Sequence, residues 1–309
     1  MAPTAGSTSR FLVAVLLLVP LAGCGGEAGD APAAASPGTQ PSTIAKPSSE
    51  PSASPARPVT SRTPRVRVSD RPVLGGAPPP WLGKRVLPRT ADGFGETRST
   101  PPELTRRRFT LPDSLPALPG DGFASKVTTP APASVIARST WKKGCPVEAT
   151  DLSWVRLTFR GFDGQRHTGE LLVNTTAADA MVDVFRRLHA ARFPIEEMRI
   201  TRADELDAPP TGDGNNTGSF NCRPMVGATS YSQHAYGLAI DIDPFQNPYS
   251  KGDLVLPELA SAYLDRSWVR PGMITANGPV VRAFDAIGWT WGGTWSSLKD
   301  LQHFSHNGR

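Results

Sequence analysis

Several features are scarce in this sequence, and each scarcity narrows the possible classes of protein. The chain has 309 residues, only three cysteines and no internal repeat. The net charge of +5 is too mild to indicate nucleic-acid binding. The N-terminal apolar run at 11–19 is about half of the ~20 residues that a membrane-spanning helix needs. A repeat architecture, a nucleic-acid-binding protein and a span at this run are therefore excluded.

The N-terminus has the pattern of an export signal. Arg10 precedes the apolar run, and Leu21-Ala22-Gly23-Cys24 follows it, so residues 1–23 are predicted to be a signal peptide. The Leu-Ala-Gly-Cys box resembles the bacterial lipoprotein signal, in which the thiol of Cys24 would be diacylated. That resemblance implies a stable lipid anchor on the extracytoplasmic face of the membrane. Ordinary secretion with a free cysteine is the alternative.

Export also determines what is expected of the other two cysteines. Thiols tend to oxidise outside the cytoplasm, and acylation of Cys24 leaves the even pair Cys145 and Cys222. A disulfide between them is therefore predicted, and it would tie the start of the folded domain to the loop before a histidine motif. Two buried free thiols are the alternative.

Residues 24–117 are rich in Pro, Ser, Ala and Thr and show no sustained period of 2 or 3.6. Such a segment buries too little apolar surface to offset the entropy of ordering, so a disordered tether is predicted. Its basic part, 62–108, is interpreted as a solvated spacer, with contact to anionic lipid or acidic wall polymers as the alternative. The folded domain is placed at 118–309, with its core at 145–305.

Within that domain, helices and short strands mix without regular βαβ alternation. Residues 153–159 and 168–173, separated by Asp163-Gly164, predict a β-hairpin. Thr175 or Thr176 is expected to cap the next helix. Its apolar face is expected to carry Met181, Val184, Phe185 and Leu188. The pattern indicates an α+β fold, a single compact domain with a small antiparallel sheet.

Two histidines and an aspartate have the chemistry of a catalytic zinc site. We interpret His234, Asp241 and His303 as three ligands that leave a fourth position open to water. Alternation over 238–242 directs the apolar residues to the core and Asp241 to the opposite face. Asp243 shares that face and is considered as a partner for an imidazole, and His306 as an alternative ligand.

A carboxylate three residues before the last histidine is suited to proton transfer. Asp300 is therefore the candidate base. Asp300 and His303 would point in opposite directions in a regular strand. The chain must bend between them if both serve one metal, and Gly292-Gly293 makes irregular backbone plausible.

The two motifs together resemble those of the VanY-like D-alanyl-D-alanine carboxypeptidase and L-alanyl-D-glutamate endopeptidase family of zinc peptidases. They stand here as Ser-x-His-x-x-Gly-x-Ala-x-Asp over 232–241 and Trp-x-x-Gly-Gly-x-Trp-x(4)-Asp-x-x-His-Phe over 289–304. The resemblance implies the same three zinc ligands, with Asp300 as the base. It also implies an arginine upstream of the first ligand that holds a substrate carboxylate or the oxyanion, and Arg223 matches best, with a surface salt bridge as the alternative role.

Three further residues are candidates for substrate contact. Ser232 opens the first motif, Tyr236 is considered as an oxyanion donor, and Trp291 as a stacking surface. At least two of the three tryptophans at 289, 291 and 295 are expected to lie in the core.

The sequence therefore predicts a monomeric, lipid-anchored zinc peptidase acting on peptidoglycan stem peptides. Cleavage of D-alanyl-D-alanine is the leading reaction and an L-alanyl-D-glutamate-type endopeptidase is the alternative. A non-catalytic wall-binding lipoprotein with a structural metal is the alternative from another class. The presence of Asp300 argues against it, because a structural site has no use for a base.

Overall fold

The computed structural model describes residues 75–225 and 228–309, all of which belong to one compact unit. The predicted signal peptide at 1–23, the lipidation site Cys24 and the tether as far as residue 74 lie outside the described residues. Eleven strands and three α-helices occur in the described part. They are β1 (Ser125–Thr128), α1 (Ala133–Ile136), β2 (Leu152–Arg160), β3 (Arg166–Asn174), α2 (Ala178–Ala190), β4 (Glu197–Met198), β5 (Asn216–Thr217), β6 (Ala239–Asp241), β7 (Tyr249–Lys251), β8 (Leu254–Leu256), α3 (Pro279–Asp285), β9 (Thr290–Trp291), β10 (Lys299–Asp300) and β11 (His303–Ser305).

The predicted hairpin and helix form the main scaffold. β2 and β3 pair antiparallel from Leu152 opposite Asn174 to Arg160 opposite Arg166, and β1 adds a third strand. Helix α2 packs its predicted apolar face into the principal core. The cap differs from the prediction, since the Asn174 side chain accepts a hydrogen bond from the Thr176 backbone N–H at the start of a 3₁₀ turn that leads into α2.

Two smaller antiparallel sheets carry the predicted site. One has the order β6-β11-β9 and the other β10-β7-β8. Alternation in β6 has the expected result, because Ile240 and Ile242 are fully buried in the principal core while Asp241 remains partly exposed. With helices beside short antiparallel sheets, the predicted α+β class is confirmed. β4 and β5 pair in parallel.

The domain includes residues that were predicted to belong to the tether. Leu87, Leu104 and Phe109 are buried in a second core cluster with residues such as Phe245 and Tyr263. The predicted boundary at residue 118 is therefore corrected, since 75–117 packs onto the domain. The segment is poor in apolar residues, but it places a few large ones into this core cluster.

The described end of the basic segment is also not a solvated spacer. The side chain of Arg107 is 2% exposed and that of Glu196 is 0% exposed, and the guanidinium binds both carboxylate oxygens at 2.7–3.2 Å. Arg107 also donates to the carbonyl of Asp213 at 2.7 Å. A buried ion pair offsets the loss of hydration only when its charged groups also make hydrogen bonds of this kind.

Cys145 and Cys222 form the predicted disulfide, across a sequence separation of 77 residues. Cys222 is buried in a third core cluster, with Leu172 and Phe220. The bond fixes the chain immediately before Arg223. Of the helices in the described part, none combines the length and apolar character required to cross a bilayer.

Candidate metal centre and active site

His234 lies in a 3₁₀ turn, Gln233–Tyr236, directly before β6. The Ser232 hydroxyl caps this turn by accepting from the His234 backbone N–H at 3.3 Å. Gly237 ends it at φ 66°, where a Cβ would lie 2.4 Å from the Asn174 nitrogen. The glycine permits close contact with β3, which fixes the start of β6.

Asp241 and His303 face each other across the β6–β11 pair, in direct register. Side chains of directly opposed residues project from the same face of an antiparallel sheet. The His303 Nδ1 lies 3.1 Å from the Asp241 Oδ1, which is 3.3 Å from the His234 Nε2. The two imidazole nitrogens are 3.1 Å apart. The structure thus brings the three predicted ligand atoms to one point.

These three atoms fit a metal ion. Ligand atoms about 2.0 to 2.1 Å from a tetrahedral zinc lie about 3.3 Å from one another, close to the spacing found here. Two imidazole nitrogens and one carboxylate oxygen are also a donor set that zinc accepts. His234, Asp241 and His303 form a group that could hold a metal ion.

Backbone carbonyls orient both imidazoles. The His234 Nδ1 lies 2.6 Å from the Ser219 carbonyl oxygen, and the His303 Nε2 lies 3.2 Å from that of Arg309. Each of these ring nitrogens can donate its hydrogen to a carbonyl, which leaves the other nitrogen free to bind the metal. Ser219 was not predicted, because a main-chain acceptor leaves no signal in residue type.

Asp300 lies beside this group in β10, opposite Tyr249. Its Oδ1 is buried and has no hydrogen-bond partner among the described residues. Gly292 permits the close packing, because a Cβ there would lie 2.7 Å from the Asp300 carbonyl oxygen and 3.4 Å from the His303 Cβ. A buried carboxylate oxygen with no partner is available to a water molecule or to substrate.

The pKa values of Asp300 and Asp241 are shifted in opposite directions. Burial raises the pKa of Asp300 to about 7, and the Asp241 carboxylate adds to the rise. Burial also acts against ionisation of Asp241, but the two imidazoles overcome it and the pKa of Asp241 is lowered. The pKa of His303 is raised, because the effect of its own burial is exceeded by the bond to Asp241 and by the charge of Asp241. The site thus separates one ionised carboxylate from one poised near neutrality.

The three candidate ligands and Asp300 line a cleft of about 440 Å³. Arg223 and Ser232, predicted from the sequence, also line it, as does Trp295. The positive charge of Arg223 acts to lower the pKa of Asp300, so the two groups interact electrostatically. Glu258 lines the cleft as well and was missed, because it lies in a loop without a recognisable motif.

Two substrate candidates lie elsewhere. Trp291 is 7% exposed, stacks on Phe304 and donates its indole N–H to the Leu301 carbonyl at 2.8 Å, so its predicted substrate contact is corrected to a core position. Trp289 is also core, as expected for two of the three tryptophans. Tyr236 is absent from the described residues that line the cleft.

The two alternative metal-site residues are not part of the group. Asp243 accepts from the Glu196 backbone N–H at 3.1 Å and touches neither imidazole, because it leaves β6 in a left-handed conformation with φ 41°. His306 is exposed and lies outside the group.

Comparison with known proteins supports this assignment. A family model described as D-alanyl-D-alanine carboxypeptidase matches residues 226–306, about a quarter of the chain. The match includes the three candidate ligands and Asp300. The resemblance to the VanY-like peptidases is thereby confirmed for residues 226–306. The match supports a metallopeptidase. Neither a curated protein nor a solved structure matched the chain.

Proposed function

We propose that this chain is a zinc-dependent peptidase that hydrolyses peptidoglycan stem peptides, with release of the terminal D-alanine as its leading reaction. The observation that carries the proposal is the convergence of His234, Asp241 and His303 beside the unpartnered carboxylate oxygen of Asp300. A purely structural metal site normally fills its fourth position with protein and needs no base.

The chain's own residues can perform the proton transfers of peptide hydrolysis. The chemistry that zinc supplies when held by the three ligands is acidification of water and polarisation of the scissile carbonyl. Asp300 accepts a proton from the attacking water and passes it to the nitrogen of the departing amine. A carboxyl whose pKa lies near 7 is suited to both halves of this transfer, and a bound cation would lower that pKa somewhat.

Arg223 supports an exopeptidase. Its guanidinium side chain lines the same cleft as Asp300, and the disulfide fixes the preceding residue. A guanidinium grips a carboxylate with two parallel hydrogen bonds. Arg223 would therefore hold the free carboxylate of a terminal residue or the oxyanion formed at the attacked carbonyl.

One observation favours the endopeptidase alternative. A second cavity of about 780 Å³ adjoins the cleft and shares Gly214, Pro244 and Pro257 with its lining. Space next to the cleft would admit a substrate that continues beyond the cleaved bond. The second candidate is therefore cleavage within the stem peptide.

The proposed place of action is the outer face of the cytoplasmic membrane, with a lipid on Cys24. This part of the proposal comes from the Leu-Ala-Gly-Cys box at 21–24. Mass spectrometry of the mature N-terminal peptide tests it. A diacylated Cys24 is expected, and an unmodified thiol at that residue would contradict the anchor.

Digestion of purified cross-linked peptidoglycan and of free stem pentapeptide, with and without a chelator, tests the reaction. Mass spectrometry should show loss of terminal D-alanine that chelation abolishes and zinc restores. Chelator-sensitive cuts inside the stem would instead establish the endopeptidase. Absence of any cleavage by zinc-loaded protein would overturn the proposal in favour of a non-catalytic wall-binding protein.

A further inference from the structure

A third cavity, of about 590 Å³, shares no lining residue with the metal cleft. Part of its wall is the turn between β2 and β3, residues 161–165. Arg108 comes from the N-terminal segment, Arg160 from the end of β2, and Arg192 from the loop after α2. Three separate parts of the chain thus contribute one arginine each.

None of these three arginines has a carboxylate within 4 Å among residues 75–225 and 228–309. Elsewhere in the domain, buried carboxylates pair with arginine, as Glu196 does with Arg107 and Glu170 with Arg138. The acidic residue that lines the cavity is Asp163, which is already engaged by His167 and by the Gln165 backbone N–H. The cavity therefore has an excess of positive charge.

Arg160 has an unsatisfied hydrogen-bond donor in this cavity. Its Nε is buried and has no hydrogen-bond partner in the described part of the chain. Its side chain makes one long contact, from a terminal nitrogen to the Gly164 carbonyl at 3.5 Å. Leaving a buried charged donor unsatisfied costs more than the average hydrogen bond contributes, so a site of this kind favours an anion.

The surroundings of the cavity are electropositive. His189, on α2, is buried, and its pKa is lowered by that burial and then by the charges of Arg160 and Arg166. A positive charge disfavours protonation of a neighbouring imidazole, so the direction of this shift agrees with a positive charge on Arg160 near α2.

We propose that this cavity binds a phosphate group. Three arginines on one cavity can offer guanidinium donors to the several oxygens of a phosphate, which suit them better than the two oxygens of a carboxylate. The same chemistry is offered by a phosphodiester-linked envelope polymer and by an anionic lipid headgroup. Either would hold the domain at a surface through a site separate from the metal cleft.

Titration of the full chain with inorganic phosphate, at constant ionic strength and followed by NMR of the arginine Nε–H groups, tests the site. The Arg160 resonance should shift saturably. Arg108→Gln and Arg192→Gln should each weaken binding about tenfold, since each removes a charged hydrogen bond. Arg106→Gln is the matched control, because Arg106 is exposed and does not line the cavity. A shift that does not saturate, or equal weakening by Arg106→Gln, would overturn the proposal.

Arg160 also belongs to β2, so a loss of binding in Arg160→Gln needs a check on folding. Arg160→Lys keeps the charge but removes the planar fork, and it should bind phosphate more weakly than wild type and more tightly than Arg160→Gln. Equal binding by all three proteins would contradict the site.

Two further arms identify the source of the phosphate. In the first, the protein is sedimented with phosphatidylglycerol vesicles, and phosphatidylcholine vesicles are the control. If Arg108→Gln reduces the amount of protein that sediments with phosphatidylglycerol, the phosphate belongs to a lipid headgroup. Sedimentation with a glycerol-phosphate polymer, reduced by the same variant, would assign a wall polymer. Binding in both arms that is insensitive to Arg108→Gln and Arg192→Gln would contradict the site.

Discussion

Asp300 and His303 are three residues apart in the sequence and lie in two different sheets. Asp300 pairs with Tyr249 through β10, whereas His303 pairs with Asp241 through β11. The bend between them is held by two hydrogen bonds, from the Trp291 indole N–H to the Leu301 carbonyl and from the Ile242 backbone N–H to the Gln302 carbonyl. This bend brings a candidate metal ligand and a candidate base to the same cleft.

Replacing Asp300 by Asn should remove turnover without removing the metal. The three ligands are untouched, but the amide cannot accept the proton of the attacking water. The value of kcat should fall about 10²- to 10⁴-fold, as general-base catalysis contributes, while metal content stays unchanged. Asp285→Asn, at an exposed position on α3, is the matched control. Full activity of Asp300→Asn would remove Asp300 from the mechanism.

Stability of the metal-free protein should fall with rising pH because of the same residue. The folded-state pKa of Asp300 is raised to about 7, above the unfolded value of about 3.9. Between these values the folded chain keeps a proton that the unfolded chain releases, so the free energy of unfolding decreases as pH increases. Asp300→Asn cannot ionise and should gain stability relative to wild type from pH 4 to pH 8. Urea denaturation at both pH values measures this gain, and an equal difference at the two would contradict the prediction.

Removing the Arg107 side chain should destabilise the whole domain. Arg107→Ala leaves the Glu196 carboxylate buried without its partner, which costs about 3 to 5 kcal/mol. Arg106→Ala removes an exposed neighbour that lies over the Trp268 ring and should cost less than about 1 kcal/mol. Chemical denaturation compares the two. Equal, small losses would mean that residues 75–117 do not contribute to the folded core.

Loss of the disulfide should also destabilise the domain. The Cys145–Cys222 bond closes a loop of 77 residues, and the chain-entropy model gives about 4 to 5 kcal/mol for a loop of this length. The double variant Cys145→Ser with Cys222→Ser should lose a comparable amount in chemical denaturation. It should also raise KM, because Arg223 follows Cys222 directly. Cys24→Ser should leave both quantities unchanged, and an unchanged KM in the double variant would argue against Arg223 as a substrate contact.

The sequence predicted the parts of the fold that depend on local pattern. The β2–β3 hairpin followed from alternation on either side of Asp163-Gly164, and the direction of the Asp241 side chain from alternation in one short strand. Residue chemistry and spacing indicated the three converging side chains. The need for a bend before His303 followed from geometry alone.

The parts that were missed depend on tertiary contacts. Arg107 and Glu196 are 89 residues apart, and nothing local to either indicates their pairing. Leu87, Leu104 and Phe109 have no common period, so their burial depends on contacts with residues far away in the sequence. Trp291 lies in a strand of two residues, too short for alternation to indicate which way its ring points.

X-ray absorption at the zinc edge of the zinc-loaded full chain tests directly whether His234, Asp241 and His303 hold a catalytic metal. The expected result is two imidazole nitrogens, one carboxylate oxygen and one exchangeable water, with the zinc environment lost in His234→Ala. Four protein ligands with no exchangeable water, or a spectrum unchanged in His234→Ala, would contradict it.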